Sequence, residues 1–130
     1  MARYLIIDEN GVARNVIRPY LERVGHVVRE VADGASGVAI LRTSTVEVLV
    51  LDLTLSSISP IEVIRMVKQQ RPPVKVVAVA SSSRHSEGGV AEHALAAGAD
   101  VILRTPHSVE YLSAVVHFID GSCVLGQDRP

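Results

Sequence analysis

Three carboxylates stand where apolar runs end. Tyr4-Leu-Ile-Ile7 stops at Asp8-Glu9, and the run Val46-Glu-Val-Leu-Val-Leu-Asp-Leu-Thr54 carries Asp52 near its close. Runs of Val, Leu and Ile suit strands buried on both faces of a parallel sheet. Open α/β sheets place their chemistry at the carboxyl ends of such strands. With the two strands side by side, Asp8, Glu9 and Asp52 converge at one sheet edge. Carboxylates that close disfavour each other's charge unless a cation sits among them, and a hard, oxygen-only donor set suits Mg²⁺. The same residue types also have plainer uses. Asp8 and Glu9 suit the positive end of a helix, and a strand-end aspartate can cap a loop. The acid pair and Asp52 together favour the acidic metal pocket.

Other reactive residue types form no such set. His26, His85, His93, His107 and His117 are scattered, with no His-Glu-x-x-His spacing. Cys123 is the only cysteine, so an internal disulfide is excluded and a reducing compartment is expected.

The elements that must position the acids follow from periodicity. Arg3 to Ile7 is a first strand, followed by a helix whose apolar face is Val12, Val16, Ile17, Tyr20, Leu21 and Val24, stopped by Gly25. Pro19 inside that helix removes one backbone bond and is expected to kink it. His26 to Ala32 reads as strand two, Asp33-Gly34 as a turn, and Ser36 to Leu41 as a short helix. Strand three carries Asp52. Pro60 opens the next helix, whose inner face is Ile61, Ile64 and Val67. Val74 to Ala80 is strand four, Ser81 to Gly89 a polar and mobile loop, and Val90 to Ala97 a small-residue helix closed by Gly98. Asp100 to Arg104 is strand five, and Val109, Leu112, Val116 and Ile119 mark a fifth helix. Strands alternating with helices predict a doubly wound, five-stranded parallel α/β sheet with right-handed crossovers. Strand order 2-1-3-4-5 puts the first and third strands together at the switch point.

Length and charge set bounds. The 130 residues make one domain, read as 1–122 with a short tail over 123–130. At 48% hydrophobic and 21% charged residues the chain is globular rather than disordered. Thirteen basic against fourteen acidic residues argue against nonspecific nucleic-acid binding. No run nears the roughly 20 apolar residues of a membrane span, and no secretory signal precedes the first strand. A cytoplasmic protein is expected.

The residues resemble the receiver domains of bacterial two-component response regulators, whose fold is flavodoxin-like. Asp8-Glu9 is similar to that family's acidic pair, Ala32-Asp33-Gly34 to its turn after strand two, and Asp52 to its phosphoacceptor. Ala97-Gly98-Ala99-Asp100 and Pro106 resemble the turn before strand five and the proline after it. The resemblance implies that Asp52 accepts a phosphoryl group from a sensor histidine kinase or phosphotransfer protein. It implies that Mg²⁺ is bound by the carboxylates of Glu9 and Asp52 and the backbone carbonyl of Thr54, with Asp8 holding a metal-bound water. The output it implies is contact with a downstream protein through the face made by the fourth helix, fifth strand and fifth helix. Neither nucleic acid nor membrane is an expected partner. Such a module acts on no separate substrate, so it is an enzyme only towards itself.

Three departures bear on switching. Thr105 stands where the resemblance expects a lysine. Arg104 beside it points to the other face by strand alternation, which leaves Arg84 as the other nearby cation. The expected hydroxyl at the end of strand four is Ser81 or Ser82, with Ala80 there in the simplest register. The loop after Asp52 lacks the proline expected at Ser56 and has Pro60 in place of a glycine. Thr105 favours an alternative, a pseudo-receiver serving as a constitutive interaction scaffold, and the intact trio of Asp8, Glu9 and Asp52 counts against it. A flavin carrier of the same fold is disfavoured, because Asp8-Glu9 repels phosphate and aromatics are only 3% of residues.

Overall fold

The apolar runs become five parallel strands, and the segments between them become helices. In chain order these are β1 (Arg3–Ile7), α1 (Val12–Arg23), β2 (Val27–Val31), α2 (Gly34–Thr43), β3 (Val48–Asp52), α3 (Pro60–Lys68), β4 (Lys75–Ser81), α4 (Val90–Ala97) and β5 (Val101–Thr105). This computed structural model describes residues 2–9, 11–81 and 89–105. The loop over 82–88, the fifth helix read from Val109 to Ile119 and the tail over 123–130 lie outside the described residues. The sheet order is β2-β1-β3-β4-β5, the order expected from the sequence.

Strand alternation divides the core in two. Leu5, Ile7, Leu49, Leu51, Ala78 and Ala80 pack against residues of α2, α3 and α4, among them Leu41, Ile64, Val67 and Ala94. Tyr4, Ile6, Val48, Val50, Val77, Val79 and Leu103 pack with Ile17 and Leu21 of α1 on the other face. Every residue of β3 is buried, as its unbroken apolar run requires. β1 pairs with β3 from Tyr4↔Val48 to Ile7↔Leu51. Asp8 and Asp52 each come one residue after the last of these pairs, and so stand at the same level at the carboxyl ends of the two strands.

Several boundaries differ from the sequence reading for identifiable reasons. The helix read as Ser36 to Leu41 runs from Gly34 to Thr43, and its buried residues are Gly34, Gly37 and Leu41. Two of those are glycines, which an apolar periodicity does not register. Asp33 is not a free turn residue but the helix N-cap, accepting from the Ser36 N–H at 2.7 Å and the Ser36 hydroxyl at 2.9 Å. Val24, placed on the inner face of α1, is 49% exposed because it lies at the helix cap. α1 runs through Pro19, which is exposed; the carbonyl its ring leaves without a helical donor belongs to Asn15, also exposed and open to water. Asp100 falls just before β5 and serves as a tie. Its carboxylate accepts from Val76 N–H and Lys68 Nζ, both at 2.8 Å. Pro60 sits at the start of α3 as expected, with Ser59 as N-cap.

Candidate functional site: an acidic pocket at the ends of β1 and β3

The turn after β1 places Asp8. Gly11 holds a left-handed φ of 81° and precedes α1 with no side chain to cap it. Asp8 supplies the missing acceptor: its Oδ2 takes the Arg14 N–H at 3.1 Å, one of the first-turn amides no helix can satisfy internally. The helix-end role weighed for this aspartate is therefore present. It does not take Asp8 out of the site, because Asp8 is only 2% exposed and its carboxyl group lies within hydrogen-bonding reach of Asp52.

Asp52 ends β3 with its two oxygens in unlike surroundings. Oδ1 accepts from the Thr54 N–H at 2.8 Å and the Thr54 hydroxyl at 2.7 Å, a turn in which an aspartate binds the backbone two residues on. Oδ2 is buried, and no donor among the described residues reaches it. Burial pushes the carboxyl pKa up. The two Thr54 donors pull it down less strongly, and the neighbouring Asp8 raises it again. A buried carboxylate with one bare oxygen beside a second carboxylate is costly as an anion pair. Bringing in positive charge relieves it. The two carboxylates, Asp8 and Asp52, therefore suit Mg²⁺, a hard cation usually held by one or two carboxylates with water completing its shell. The contacts seen for Thr54 run through its N–H and hydroxyl, whereas the expected metal ligand is its carbonyl.

Glu9 lies elsewhere. Its Oε2 accepts from the N–H groups of Ser56 and Ser57 at 3.2 and 3.3 Å, and the Ser56 hydroxyl is 3.2 Å from Oε1. Donation from the Ser56 N–H is the largest influence holding the Glu9 carboxyl below its ordinary range. The structure thus brings Asp8 and Asp52 together and ties Glu9 to the loop between β3 and α3. Among the described residues, no three His, Cys, Asp or Glu side chains are grouped closely enough to hold a metal ion. Ser56 and Ser57 were not among the partners expected for Glu9. The available signal was the absence of proline at position 56, which leaves an N–H there to donate.

The ends of β4 and β5 supply the remaining candidates. Asp52 pairs with Val79, Val79 with Leu103, and Ser81 with Thr105. Ser81 and Thr105 are therefore in phase with Asp52 along their strands. Ala80 is buried with Ala78 and Leu51 on the opposite face, so of Ala80 and Ser81 it is Ser81 that shares the phase of Asp52. Arg104 pairs with Ala80, in the phase opposite to Asp52, and is exposed. Ser82 and Arg84 lie outside the described residues.

A 2-1-3-4-5 sheet with a buried aspartate facing an acidic turn defines a receiver-type α/β domain. The sequence matches the response regulator receiver domain family over residues 4–117, and the chain belongs to that family. Among solved structures it is similar to a response regulator receiver domain protein from Methanospirillum hungatei. That likeness has a TM-score of 0.79 at 21% identity, over 93% of this chain and 95% of the other. Curated relatives include a cyclic di-GMP phosphodiesterase of Thermotoga maritima, 27% identical over 108 residues, which are 83% of this chain and 28% of that protein. A second is a protein-glutamate methylesterase/protein-glutamine glutaminase 2 of Caulobacter vibrioides, 27% identical over 105 residues, 80% of this chain and 30% of that protein. The chain thus spans about three-tenths of the length of these two relatives. Among the described residues, no helix is long and apolar enough to cross a membrane.

Proposed function

We propose that this chain is a phosphoacceptor receiver of a two-component phosphorelay, with Asp52 as the nucleophile. The observation that carries the reading is the asymmetry of Asp52. Oδ1 is engaged by two donors from Thr54, while Oδ2 is buried and takes no donor among the described residues. The lone pairs of Oδ2 are not spent on a donor, and burial raises the basicity of the group, so Oδ2 is the oxygen suited to attack. The Oδ2–P bond forms as the P–N bond to the donor's phosphohistidine breaks, and the imidazole nitrogen leaves with the electron pair. Bound Mg²⁺ would offset the charge of the phosphoryl group against the carboxylates. Asp8, Glu9, Asp52 and the Thr54 carbonyl are the groups that would hold it, and Glu9 would have to leave Ser56 and Ser57 to join. Partners follow from this reading: a sensor histidine kinase or phosphotransfer protein, and a downstream protein meeting α4, β5 and the fifth helix. The domain is assigned to residues 1–122 and the setting to the cytoplasm.

The test is incubation with Mg²⁺ and acetyl phosphate followed by intact-mass measurement. The wild type should gain one phosphoryl group and Asp52→Asn none. An unmodified wild type would favour the second reading, a pseudo-receiver that serves as a constitutive scaffold. That reading has its own support: Thr105, not a lysine, is in phase with Asp52 at the end of β5.

A further inference from the structure

The loop between β3 and α3 is tied down on both sides. On one side are the Glu9 contacts to the Ser56 N–H, the Ser56 hydroxyl and the Ser57 N–H. On the other, the Ser57 hydroxyl accepts from the N–H of Gly34, the first residue of α2, at 3.2 Å. The Ile58 side chain lies so close to Gly34 that a Cβ there would sit 2.3 Å from its Cγ1. One short loop therefore joins a pocket carboxylate to the start of α2. Among the described residues no donor reaches the buried Asp52 Oδ2, and Asp8 stands beside it, so a cation there would offset both carboxylates.

We propose that Glu9 is a latch with two positions. Without a cation it clasps Ser56 and Ser57, and when a divalent cation occupies the pocket beside Asp8 and Asp52 it swings inward and releases the loop. The inference rests on reading the acidic pocket as a cation site. One carboxylate cannot fully serve both sets of partners. Cation binding and loop attachment are then linked, each weakening the other by the same factor. The loop's hold on Glu9 lowers the affinity of the pocket for Mg²⁺. In return, Mg²⁺ frees the Ser56–Ile58 segment and, through the Ser57–Gly34 bond and the Ile58 contact, reaches the N-terminus of α2. Phosphorylation has no part in this event. The surface it alters, the loop with the start of α2, is distinct from the α4 and β5 side of the domain.

Proline at position 56 has neither the N–H nor the hydroxyl, so Ser56→Pro removes both donors that this residue gives Glu9. Mg²⁺ titrations of wild type, Ser56→Pro, Ser56→Ala and Asp52→Asn, followed by calorimetry and by amide NMR signals, test the latch. Ser56→Pro should bind Mg²⁺ about three- to tenfold more tightly than the wild type, the range left for hydrogen bonds to a charged group once solvent screens it at an exposed site. Ser56→Ala keeps the N–H and should shift the affinity the same way by about twofold; it also serves if the proline variant folds poorly. In the wild type, the amide signals of Ser56, Ser57 and Gly34 should move together with saturation. Mg²⁺ binding that depends on Asp52, yet leaves those three amides still and is unchanged in both Ser56 variants, would overturn the latch and leave the cation site standing. Binding indifferent to Asp52→Asn, or no binding at all, would remove the cation site and the latch with it.

Discussion

Asp52 is where a single residue decides most. Its burial raises the carboxyl pKa above the ordinary 3.8. Between that value and the raised one, the folded chain holds a proton that the unfolded chain has lost. Stability therefore falls as pH rises through the window. Glu9 has the opposite sign: its pKa is held below 4.5 by Ser56 and Ser57, so its contribution is present above that value and is lost as pH falls through the lowered one. Being fully exposed, it adds only a minor slope. Asp52→Asn keeps an acceptor for Thr54 but removes the buried charge beside Asp8. It should stabilise the metal-free protein at neutral pH by about 1–3 kcal/mol, the usual cost of a buried polar group without a partner. That advantage should shrink towards acid, where the wild-type carboxyl is protonated in both states. Urea denaturation between about pH 4 and about pH 8 measures it. Saturating Mg²⁺ should narrow or reverse the difference by stabilising only the wild type. A constant gap across pH would show that charge is not its source. Thr54→Val tests the other oxygen. It loses the hydroxyl donor and keeps the N–H, so the Asp52 pKa should move further up, as read by carboxyl carbon NMR.

Among the elements, α2 shows best what the sequence hides. Gly37 lets this helix lie directly on β1 and β2: a Cβ there would be 2.3 Å from Ile7 Cδ1 and 3.4 Å from Val31 Cγ2. Ile7 is fully buried and cannot swing away. Gly37→Ala gains helix propensity of about 1 kcal/mol but incurs overpacking of about 1–3 kcal/mol, so the net effect should be destabilisation. Ile7→Val in the same chain removes the closer of two clashing atoms, Cδ1, and leaves Cγ1, 2.7 Å from the added Cβ, so it should recover only part of the loss, which a double-mutant cycle by denaturant melts will reveal. Additive effects of the two changes would show that the contact is not the cause. The periodic apolar runs made β1, β3, β4, α3 and α4 legible, because hydrophobic side chains are themselves the signal. Strand–helix alternation pointed to a parallel, doubly wound sheet, and the order 2-1-3-4-5 was the one that sets the two acid-bearing strands side by side. α2 was underestimated because its buried face is largely glycine, which has no side chain to count. The acidic pocket was legible through Asp8 and Asp52, whose placement is fixed by strand ends in register. The Glu9 contacts were not legible, since they depend on where a flexible carboxylate finds free N–H groups, a matter of loop geometry rather than residue type.

For the whole molecule the question is how an event at Asp52 reaches a distant face. The strand ends that lie between are those of β4 and β5, where Ser81 and Thr105 pair in phase with Asp52. Thr105 carries a hydroxyl and no charge. Arg104 lies in the opposite phase with Ala80, so it is not positioned to replace a cation there. A contact formed only in the phosphorylated state shifts populations by the energy it adds to one conformation over the other. A charge-assisted contact is worth about 1.5–3 kcal/mol, close to the roughly 1–3 kcal/mol of typical allosteric couplings. On the proposed phosphoacceptor reading, the lack of such a contact leaves transfer to Asp52 in place and keeps the response beyond the pocket small. With beryllofluoride standing in for the phosphoryl group, wild-type amide shifts should be large around Asp8, Asp52 and Ser56 and weak along α4 and β5. Thr105→Lys should extend the shifts into α4, whose exposed Leu95 provides a sensitive reporter. Arg84→Ala is the control for the other cation in this part of the sequence. A strong wild-type response in α4 that Arg84→Ala abolishes would assign the coupling to that arginine. A strong response insensitive to both substitutions would mean that the charge at the end of β5 is not what carries the signal.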